Sequence, residues 1–485
     1  MSGNRPFYHS DYLMEQSSPI HTPDTDRAFE QDPSGHSRYT INKKKYARVL
    51  VHNIPFLFTT DKDDHILTLQ NHSVVIENDI IADVLPAADC STDGFDIIYD
   101  AGKRGGTVIT PGLINTHAHV HMYLMRSAMM LDEGENIDET IAAMAQWQRF
   151  ETDAAHAIAA IGDITEQQKH GITTTLSHGP SFEAVEEATK ATKHNTINAV
   201  SAISNSRPDN TPKMAAAHLA DTSTASRPAV SLHYLYKANE AVLKTMASLQ
   251  EQYGALLTFH MAESEYVTEQ TKKNLGDNEV GVLKRFGLLN SNSLASHVLH
   301  INEAGIKDMA THKVGIAHLP TSNIIHKSGT FRFWDFEEAG AFPYLSLGTD
   351  SVVSKNRLDI LTEAYQTRVT HLYRRTVKFG SLFKMMTTNG ARVLHEPNRG
   401  KILPGYKADI CFWKLKDRGF IPYDETDPLT LLGNIITHGG RYVRDLMING
   451  SFVIKDRKHI LVDESKLLEE TQRAHMAMRT RVKQT

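Results

Sequence analysis

The sequence is poor in cysteine and contains no long apolar run. Its 485 residues include only two cysteines, Cys90 and Cys411, too few for a disulfide framework or for a zinc site built from thiolates. No run reaches the roughly 18 apolar residues that a membrane-spanning helix needs. The N-terminus also lacks the basic and then apolar layout of a secretion signal. These absences predict a cytoplasmic protein that does not enter a membrane.

An excess of positive charge is missing as well. The formal net charge is -5, and 22% of the residues are charged, as in ordinary globular proteins. A chain of this kind has no general electrostatic attraction to nucleic acid or to an anionic lipid surface. The expected partner is therefore a small-molecule substrate.

The length and the patterning predict a large central domain with a smaller one built around it. Residues 1–44 are polar, lack periodicity and predict a flexible tail. Short β-type runs fill residues 45–106 and return in 401–460, and neither set looks complete alone. We expect both to form one β-sandwich from the two ends of the chain, followed by a C-terminal helix over 461–485.

Eight apolar runs of strand length occupy residues 107–400, and each of the first seven precedes a stretch with helical spacing. The runs begin at Thr107, Gly171, Thr196, Ala229, Leu256, Ser293, Lys313 and Phe342. This alternation predicts a (β/α)8 barrel of the TIM type. A doubly wound open sheet is the alternative, but it would bring a glycine-rich phosphate turn after a strand, and the sequence has none.

Imidazole and carboxylate side chains stand where several of these strands should end. The first run ends in His117 and His119, which alternate and therefore share one face of the strand. The fifth ends in His260, the sixth in His297 and the eighth in Asp350. Because the carboxyl ends of barrel strands converge on one pocket, these residues predict a divalent metal site for zinc or ferrous iron.

These motifs resemble a known family. The runs PGLINTHAH, HMAE, SHVLH and LGTDS resemble the amidohydrolase superfamily, in particular its branch of cytosine deaminases, S-adenosylhomocysteine deaminases and triazine hydrolases. The resemblance covers about residues 45–460, and GKILPGYKADI at 400–410 is similar to that branch's return into the β-sandwich. It also implies a homodimer.

The resemblance implies a role for each matching position. It makes metal ligands of His117, His119, His260 and Asp350, with Asp350 also handling protons. It makes Glu263 the proton shuttle, His297 the group that polarises the attacked atom or the water, and His233 a substrate contact. The chemistry of the residue types agrees, because such a metal brings the pKa of bound water toward neutrality and Glu263 could then carry the proton to a leaving nitrogen.

The sequence also departs from the family pattern. Two-metal members carry a carboxylated lysine on the fourth strand, whereas AVSLHYLY contains none, so one metal per subunit is expected. No proline flanks His233. In the seventh strand, Leu319 replaces the polar residue that usually follows the histidine, here His318. The polar turn that follows keeps Asn323 as a candidate substrate contact, together with His121 and Arg126 after the first strand.

Three functions follow from these observations. The leading hypothesis is hydrolytic deamination of an amino-substituted purine, pyrimidine, pterin or triazine with release of ammonia, by an enzyme acting on carbon–nitrogen bonds other than peptide bonds. The same activated water could instead remove chloride from a triazine-like ring or open a cyclic amide or amidine. An inactive barrel used for binding is the alternative of another class. A zinc deaminase of the other fold is disfavoured, because that chemistry needs H-x-E with P-C-x-x-C and two isolated cysteines cannot supply it.

Overall fold

The computed structural model describes residues 48–103, 105–128, 137–204, 207–438 and 442–484. From the preceding part of the chain it describes only three short strands, Leu13–Met14, Ala28–Gln31 and Ser37–Thr40. Apart from these strands, the predicted tail over residues 1–44 lies outside the described residues.

Eight parallel strands form the centre of the molecule and pair side by side in chain order from the first to the eighth. In order they are Leu113–Ala118, Ile172–Gly179, Asn195–Ser201, Arg227–Tyr234, Leu257–Met261, Ser293–His297, Gly315–His318 and Leu345–Leu347. Nearly every residue of these strands is buried, which is why they read in the sequence as continuous apolar runs. Each of the eight predicted runs overlaps one of them, with two strands starting one or two residues earlier than predicted, and the predicted barrel is confirmed.

Side chains and a single bridge close the barrel between its first and eighth strands. The Thr116 hydroxyl lies 2.8 Å from that of Ser346, and Ala118 forms an isolated parallel bridge with Asp350. Gly348 permits this approach, because a Cβ at that position would lie 2.8 Å from the Cβ of His117. Closure therefore brings the histidine motif of the first strand beside the aspartate that follows the eighth.

Helices surround the barrel, and several begin at a side chain that caps the first turn. Asn239, Ser264 and Asn302 each accept a hydrogen bond from a backbone N–H three residues ahead. The α-helices are Ile137–Gln148, Asp153–Lys169, Phe182–Thr192, Pro212–Ala220, Glu240–Tyr253, Glu265–Leu275, Glu279–Arg285, Glu303–Thr311, Pro320–Ile325, Phe333–Glu338, Val352–Lys355, Ile360–His371, Phe379–Met385, Thr388–Val393, Leu429–His438 and Glu464–Val482. Short 3-10 helices span Ala87–Asp89, Val120–Met125, Leu235–Lys237 and Phe342–Tyr344.

The two ends of the chain share a second, ten-stranded sheet with its own buried core. Its strands are Leu13–Met14, Arg48–Thr60, Ile66–Glu77, Ile80–Pro86, Ile97–Asp100, Thr107–Pro111, Ile410–Lys414, Asp445–Ile448, Ser451–Lys455 and Lys458–His459. The halves join where Thr107–Pro111 pairs antiparallel with Ile410–Lys414. The prediction that both ends fold together is confirmed.

The structure divides the first predicted barrel run at Gly112. The strand Thr107–Pro111 belongs to the ten-stranded sheet, and only Leu113–Ala118 lies in the barrel. A Cβ at Gly112 would lie 2.1 Å from the Thr173 hydroxyl oxygen, so only glycine allows the chain to pass so close to the second barrel strand. The sequence shows one uninterrupted apolar run here because both strands are buried.

The last helix starts slightly later than the sequence predicted. It spans Glu464–Val482, and the side chain of Asp463 caps its first turn. Glu464 accepts a hydrogen bond from Lys169 at 2.5 Å, which fastens this helix to Asp153–Lys169 on the outside of the barrel. Within the described part of the chain, no helix combines the length and the apolar character needed to cross a membrane.

Candidate active site

Three histidines from two barrel strands point their ring nitrogens at one place. The Nε2 atom of His119 lies 3.2 Å from Nε2 of His117 and 3.2 Å from Nε2 of His260. The rings of His117, His119 and His260 are almost fully buried, with exposed fractions of 0%, 8% and 4%. A tetrahedral zinc ion with Zn–N bonds of about 2.0–2.1 Å would hold two ligand nitrogens about 3.3–3.4 Å apart. The spacing in this cluster therefore fits a common cation.

Hydrogen bonds and burial also fit these imidazoles for metal binding. Nδ1 of His119 donates to the carbonyl of His178, and Nδ1 of His260 donates to that of His233, each at 2.8 Å. This arrangement leaves a lone pair on each Nε2, and two such nitrogens 3.2 Å apart repel one another unless a cation lies between them. Burial lowers the pKa of His117 and of His260 well below the ordinary value, and lowers the pKa of His119 too. All three rings are therefore neutral, and each could offer a nitrogen to a metal ion.

Asp350 completes the cluster from the eighth strand. Its Oδ1 atom lies 3.5 Å from Nε2 of His119 and 4.0 Å from Nε2 of His117. The other oxygen, Oδ2, accepts hydrogen bonds from the hydroxyls of Ser322 at 2.5 Å and Ser354 at 3.1 Å. These donors orient the carboxylate and stabilise its charged form. The four residues that the sequence selected as ligands are therefore neighbours.

Strained backbone holds the strand ends in this arrangement. Ala262, His297, Val298 and Asp350 have positive φ angles of 48°, 69°, 54° and 58°, which non-glycine residues rarely adopt. The Val298 N–H donates to the carbonyl of Met261 at 2.9 Å, so the fifth and sixth strands hold each other in this conformation. Strain of this kind accumulates at functional sites and persists only where the surroundings enforce it.

Glu263 and His297 lie beside the cluster and contact each other. The Oε1 atom of Glu263 lies 3.4 Å from Nε2 of His297, and the side chains are 4% and 1% exposed. Nδ1 of His297 pairs with the side-chain oxygen of Asn323 at 2.8 Å, so a residue proposed to contact substrate also orients this ring. The His297 ring lies 5.4 Å from the His260 ring between centroids. A carboxylate able to carry a proton is therefore close to the predicted metal.

The other predicted substrate contacts are spread around the site. The half-buried His233 lies against His260, with ring centroids 4.7 Å apart, and the buried His121 lies 5.9 Å from the His119 ring. Arg126 behaves differently, because its described contacts are with Glu166 and the Tyr123 ring beside the helix Asp153–Lys169. The structure thus places His233 and His121 next to the ligands and gives Arg126 a charged partner outside the cluster.

The structure adds His178, at the end of the second strand, to the site. Its ring is 1% exposed and lies 4.8 Å from the His260 ring and 5.2 Å from the His119 ring. Among the described residues, neither ring nitrogen has a hydrogen-bond partner. A buried imidazole in this state can serve a bound ligand or water. His178 stands near the end of the apolar run that begins at Gly171, and that position was the signal available in the sequence.

Ser322 was not selected from the sequence either, although it stands in the polar turn after the seventh strand. We expect Ser322→Ala to weaken metal binding about 10- to 100-fold, because Asp350 loses its shortest hydrogen bond and its Oδ2 atom keeps only the longer one from Ser354. Competition with a chromophoric chelator would measure the change. Ser328→Ala is the matched control, since the buried Ser328 hydroxyl has no partner within the described part of the chain. Equal metal affinity in both variants would contradict this role.

A closed barrel with histidines and an aspartate at its strand ends is the architecture of a metal-dependent hydrolase. The family model described as "Amidohydrolase family" matches residues 108–453, the larger part of the sequence. The chain therefore belongs to the amidohydrolase family, and it is an enzyme that hydrolyses carbon–nitrogen bonds other than peptide bonds.

Similar proteins carry related names. A 5-methylthioadenosine/S-adenosylhomocysteine deaminase of Pyrococcus furiosus is 27% identical over 420 residues, covering 83% of this chain and 95% of its own. A 5'-deoxyadenosine deaminase of Methanosarcina mazei is 25% identical, covering 90% and 99%. Among solved structures, a zinc complex of atrazine chlorohydrolase from Arthrobacter aurescens has a TM-score of 0.78 at 19% identity, covering 88% and 100%. A zinc-bound adenosine deaminase of Xanthomonas campestris has a TM-score of 0.77 at 21% identity, covering 89% and 98%.

Proposed function

We propose that this enzyme deaminates the adenine ring of a nucleoside whose 5′ position carries a group other than a free hydroxyl. The observation that carries the proposal is the placement of Glu263 and His297 beside the cluster of three imidazoles and Asp350. Two relatives aligned over most of their length are named for deamination of such nucleosides, which supports this substrate class. The reaction consumes one water, breaks the exocyclic carbon–nitrogen bond, and forms a ring carbonyl and ammonia.

The proposed resident cofactor is one zinc ion per subunit, held by His117, His119, His260 and Asp350. When bound, such an ion would supply Lewis-acid activation of a water molecule near neutral pH. A single ion is proposed because Lys237, the lysine nearest the fourth strand, lies beyond its end, where the sequence continues as a 3-10 helix. Metal analysis of the purified protein would test both identity and count, and about two ions per subunit would contradict the single site.

Side chains of the protein then carry out the proton transfers. Glu263 takes one proton from the attacking water and delivers it from its Oε1 atom to a ring nitrogen. His297, held by Asn323, faces the same oxygen and polarises the attacked group. Asp350 accepts the second water proton at Oδ1 and passes it to the leaving nitrogen, which departs as ammonia, while Ser322 and Ser354 hold its other oxygen. Because these groups are buried, bulk water is kept from competing with them for the proton.

Substrate contacts are assigned to the polar groups that border the cluster. His233 and His121 lie against the ligand rings, and Asn323 follows the seventh strand. His178 offers ring nitrogens that no described residue engages. Burial lowers the pKa of His178 and of His233 well below the ordinary value, so each is neutral and can donate one hydrogen bond and accept another. Arg126, a further proposed contact, would first have to leave Glu166.

Ammonia release by the zinc-loaded protein is the test. The panel contains 5′-methylthioadenosine, S-adenosylhomocysteine, 5′-deoxyadenosine and adenosine, with cytosine, guanine and melamine as other amino-substituted rings. We expect the 5′-substituted or 5′-deoxy nucleosides to give the highest kcat/KM. Turnover confined to the free bases would overturn the nucleoside assignment. Chloride release from atrazine without ammonia release from any amine would replace deamination with dechlorination. Full metal loading without any turnover would support an inactive barrel.

We also propose a cytoplasmic homodimer. The support for the dimer is the family resemblance of the sequence, and the support for the cytoplasm is the shortage of cysteine. Light scattering on the eluting protein would measure its mass, and we expect twice the 54.2 kDa of one chain. A particle of one chain mass at micromolar concentration would contradict the dimer.

A further inference from the structure

Tyr234 ends the fourth barrel strand at a place where the strand is irregular. In the pairing with the fifth strand, Leu232 stands opposite Phe259 and Tyr234 stands opposite His260, so one extra residue, His233, is accommodated between them. A regular strand points consecutive side chains to opposite faces, whereas an extra residue re-aims one of them. Here the rings of His233 and Tyr234 lie 4.7 Å and 5.4 Å from the same His260 ring. Both side chains therefore reach the site.

The buried phenol of Tyr234 forms a hydrogen bond with Glu263. Its hydroxyl donates a hydrogen bond of 2.6 Å to Oε2 of Glu263, and Tyr234 is only 3% exposed. The ring itself is held, because Tyr236 stacks on it at 5.3 Å and the Lys237 ammonium lies 5.3 Å above it. The hydroxyl therefore has a fixed direction.

The two oxygens of Glu263 consequently have different surroundings. Oε2 is engaged by Tyr234, while Oε1 faces His297 at 3.4 Å. A carboxylate held at one oxygen cannot rotate to exchange the two, so the same oxygen always meets the proton to be moved. Proton transfer is sensitive to such alignment, and a displacement of about 1 Å can cost roughly 100-fold in rate.

We infer that Tyr234 is the positioning residue of the proton shuttle: its hydroxyl fixes Oε2 of Glu263 and thereby assigns Oε1 to proton transfer. The inference rests on the proposed function and deepens it, because Tyr234 acts on the reaction only through Glu263. It also explains the irregularity of the fourth strand, since a regular strand would turn either Tyr234 or His233 away from the site.

The test compares Tyr234→Phe with Tyr236→Phe in the zinc-loaded enzyme, using the best nucleoside of the panel. Phenylalanine keeps the ring and removes only the hydroxyl, so packing is preserved. We expect Tyr234→Phe to lower kcat about 10- to 100-fold while KM stays within about twofold, with unchanged zinc content and thermal midpoint. Tyr236→Phe should leave kcat within about twofold.

A double variant separates positioning of Glu263 from any other role. If Tyr234 acts through Glu263, Tyr234→Phe should lower kcat when Glu263 is present. It should have almost no further effect when it is added to Glu263→Gln. Equal losses in both backgrounds, or wild-type kcat in Tyr234→Phe, would overturn the inference and leave the proposed function standing. Absence of ammonia release by the wild type across the whole panel would overturn the proposed function, and this inference with it.

Discussion

Replacement of Glu263 by glutamine is expected to lower kcat about 10²- to 10⁴-fold while metal content stays at the wild-type level. The amide keeps the shape of the side chain, and its contacts with Tyr234 and His297 can be partly retained. It cannot, however, accept and return a proton near neutral pH. Because Glu263 is not one of the proposed ligands His117, His119, His260 and Asp350, its loss should leave metal binding intact. Initial rates of ammonia release and metal analysis on the same sample would measure both quantities.

Glu265→Gln supplies the control for that measurement. Glu265 lies two residues further on, at the start of the helix Glu265–Leu275, and it is exposed to solvent. The substitution Glu265→Gln makes the same chemical change outside the site, so kcat should remain within about twofold of wild type, as is usual for surface substitutions. A Glu263→Gln enzyme that turned over as fast as the Glu265→Gln enzyme would remove Glu263 from the proposed mechanism.

Removal of the metal is expected to abolish turnover and to destabilise the fold. Without a cation, the Nε2 lone pairs of His119 and His260, whose Nδ1 atoms donate to backbone carbonyls, face one another with no compensating charge. A ligand present at about 1,000 times its Kd stabilises the folded state by about 4 kcal/mol, and chelation forfeits that contribution. Dialysis against a chelator should therefore lower the thermal midpoint, and stoichiometric zinc should restore both stability and activity. Asp350→Asn should show reduced zinc content even without a chelator.

An exposed cluster elsewhere provides the comparison for metal removal. Asp61, Asp63 and His65 also bring possible ligand atoms within 4.8 Å of one another, in a turn of the ten-stranded sheet. Both oxygens of Asp61 are already occupied by hydrogen bonds within that turn, so this group has its own structural explanation. The double variant Asp63→Asn, His65→Gln should retain the zinc content and activity of the wild type. A loss of metal from this variant, with none from Asp350→Asn, would relocate the metal site.

The barrel and the core of its site could be predicted because they depend on simple periodicities. Buried parallel strands give apolar runs, and a residue at a strand end must join the others around the barrel mouth. That rule brought together His117, His260 and Asp350 from positions more than two hundred residues apart. The site needed no detailed geometry to be located, only the order of strands and the alternation of His117 with His119.

Other features depend on contacts that no local pattern reveals. The extra residue at His233 is visible only in the pairing between two strands, and without it the alternation rule places Tyr234 on the outer face. The partner of Arg126 is Glu166, forty residues away on a helix, so an arginine in a pocket-forming segment could not be distinguished from one in a surface ion pair. Ser322 is one hydroxyl among several in its turn, and only the position of Asp350 distinguishes it.

The junction at Gly112 has a consequence for the order of synthesis on the ribosome. The strand Thr107–Pro111 continues directly into the histidine-bearing strand, yet its antiparallel neighbour Ile410–Lys414 is made about three hundred residues later. The histidines of that strand therefore emerge from the ribosome long before the strand Ile410–Lys414, which pairs with the segment preceding them. For the same reason, a nascent chain stopped before Ile410 would carry every proposed metal ligand and still leave one edge of the supporting sheet open to pairing with another molecule.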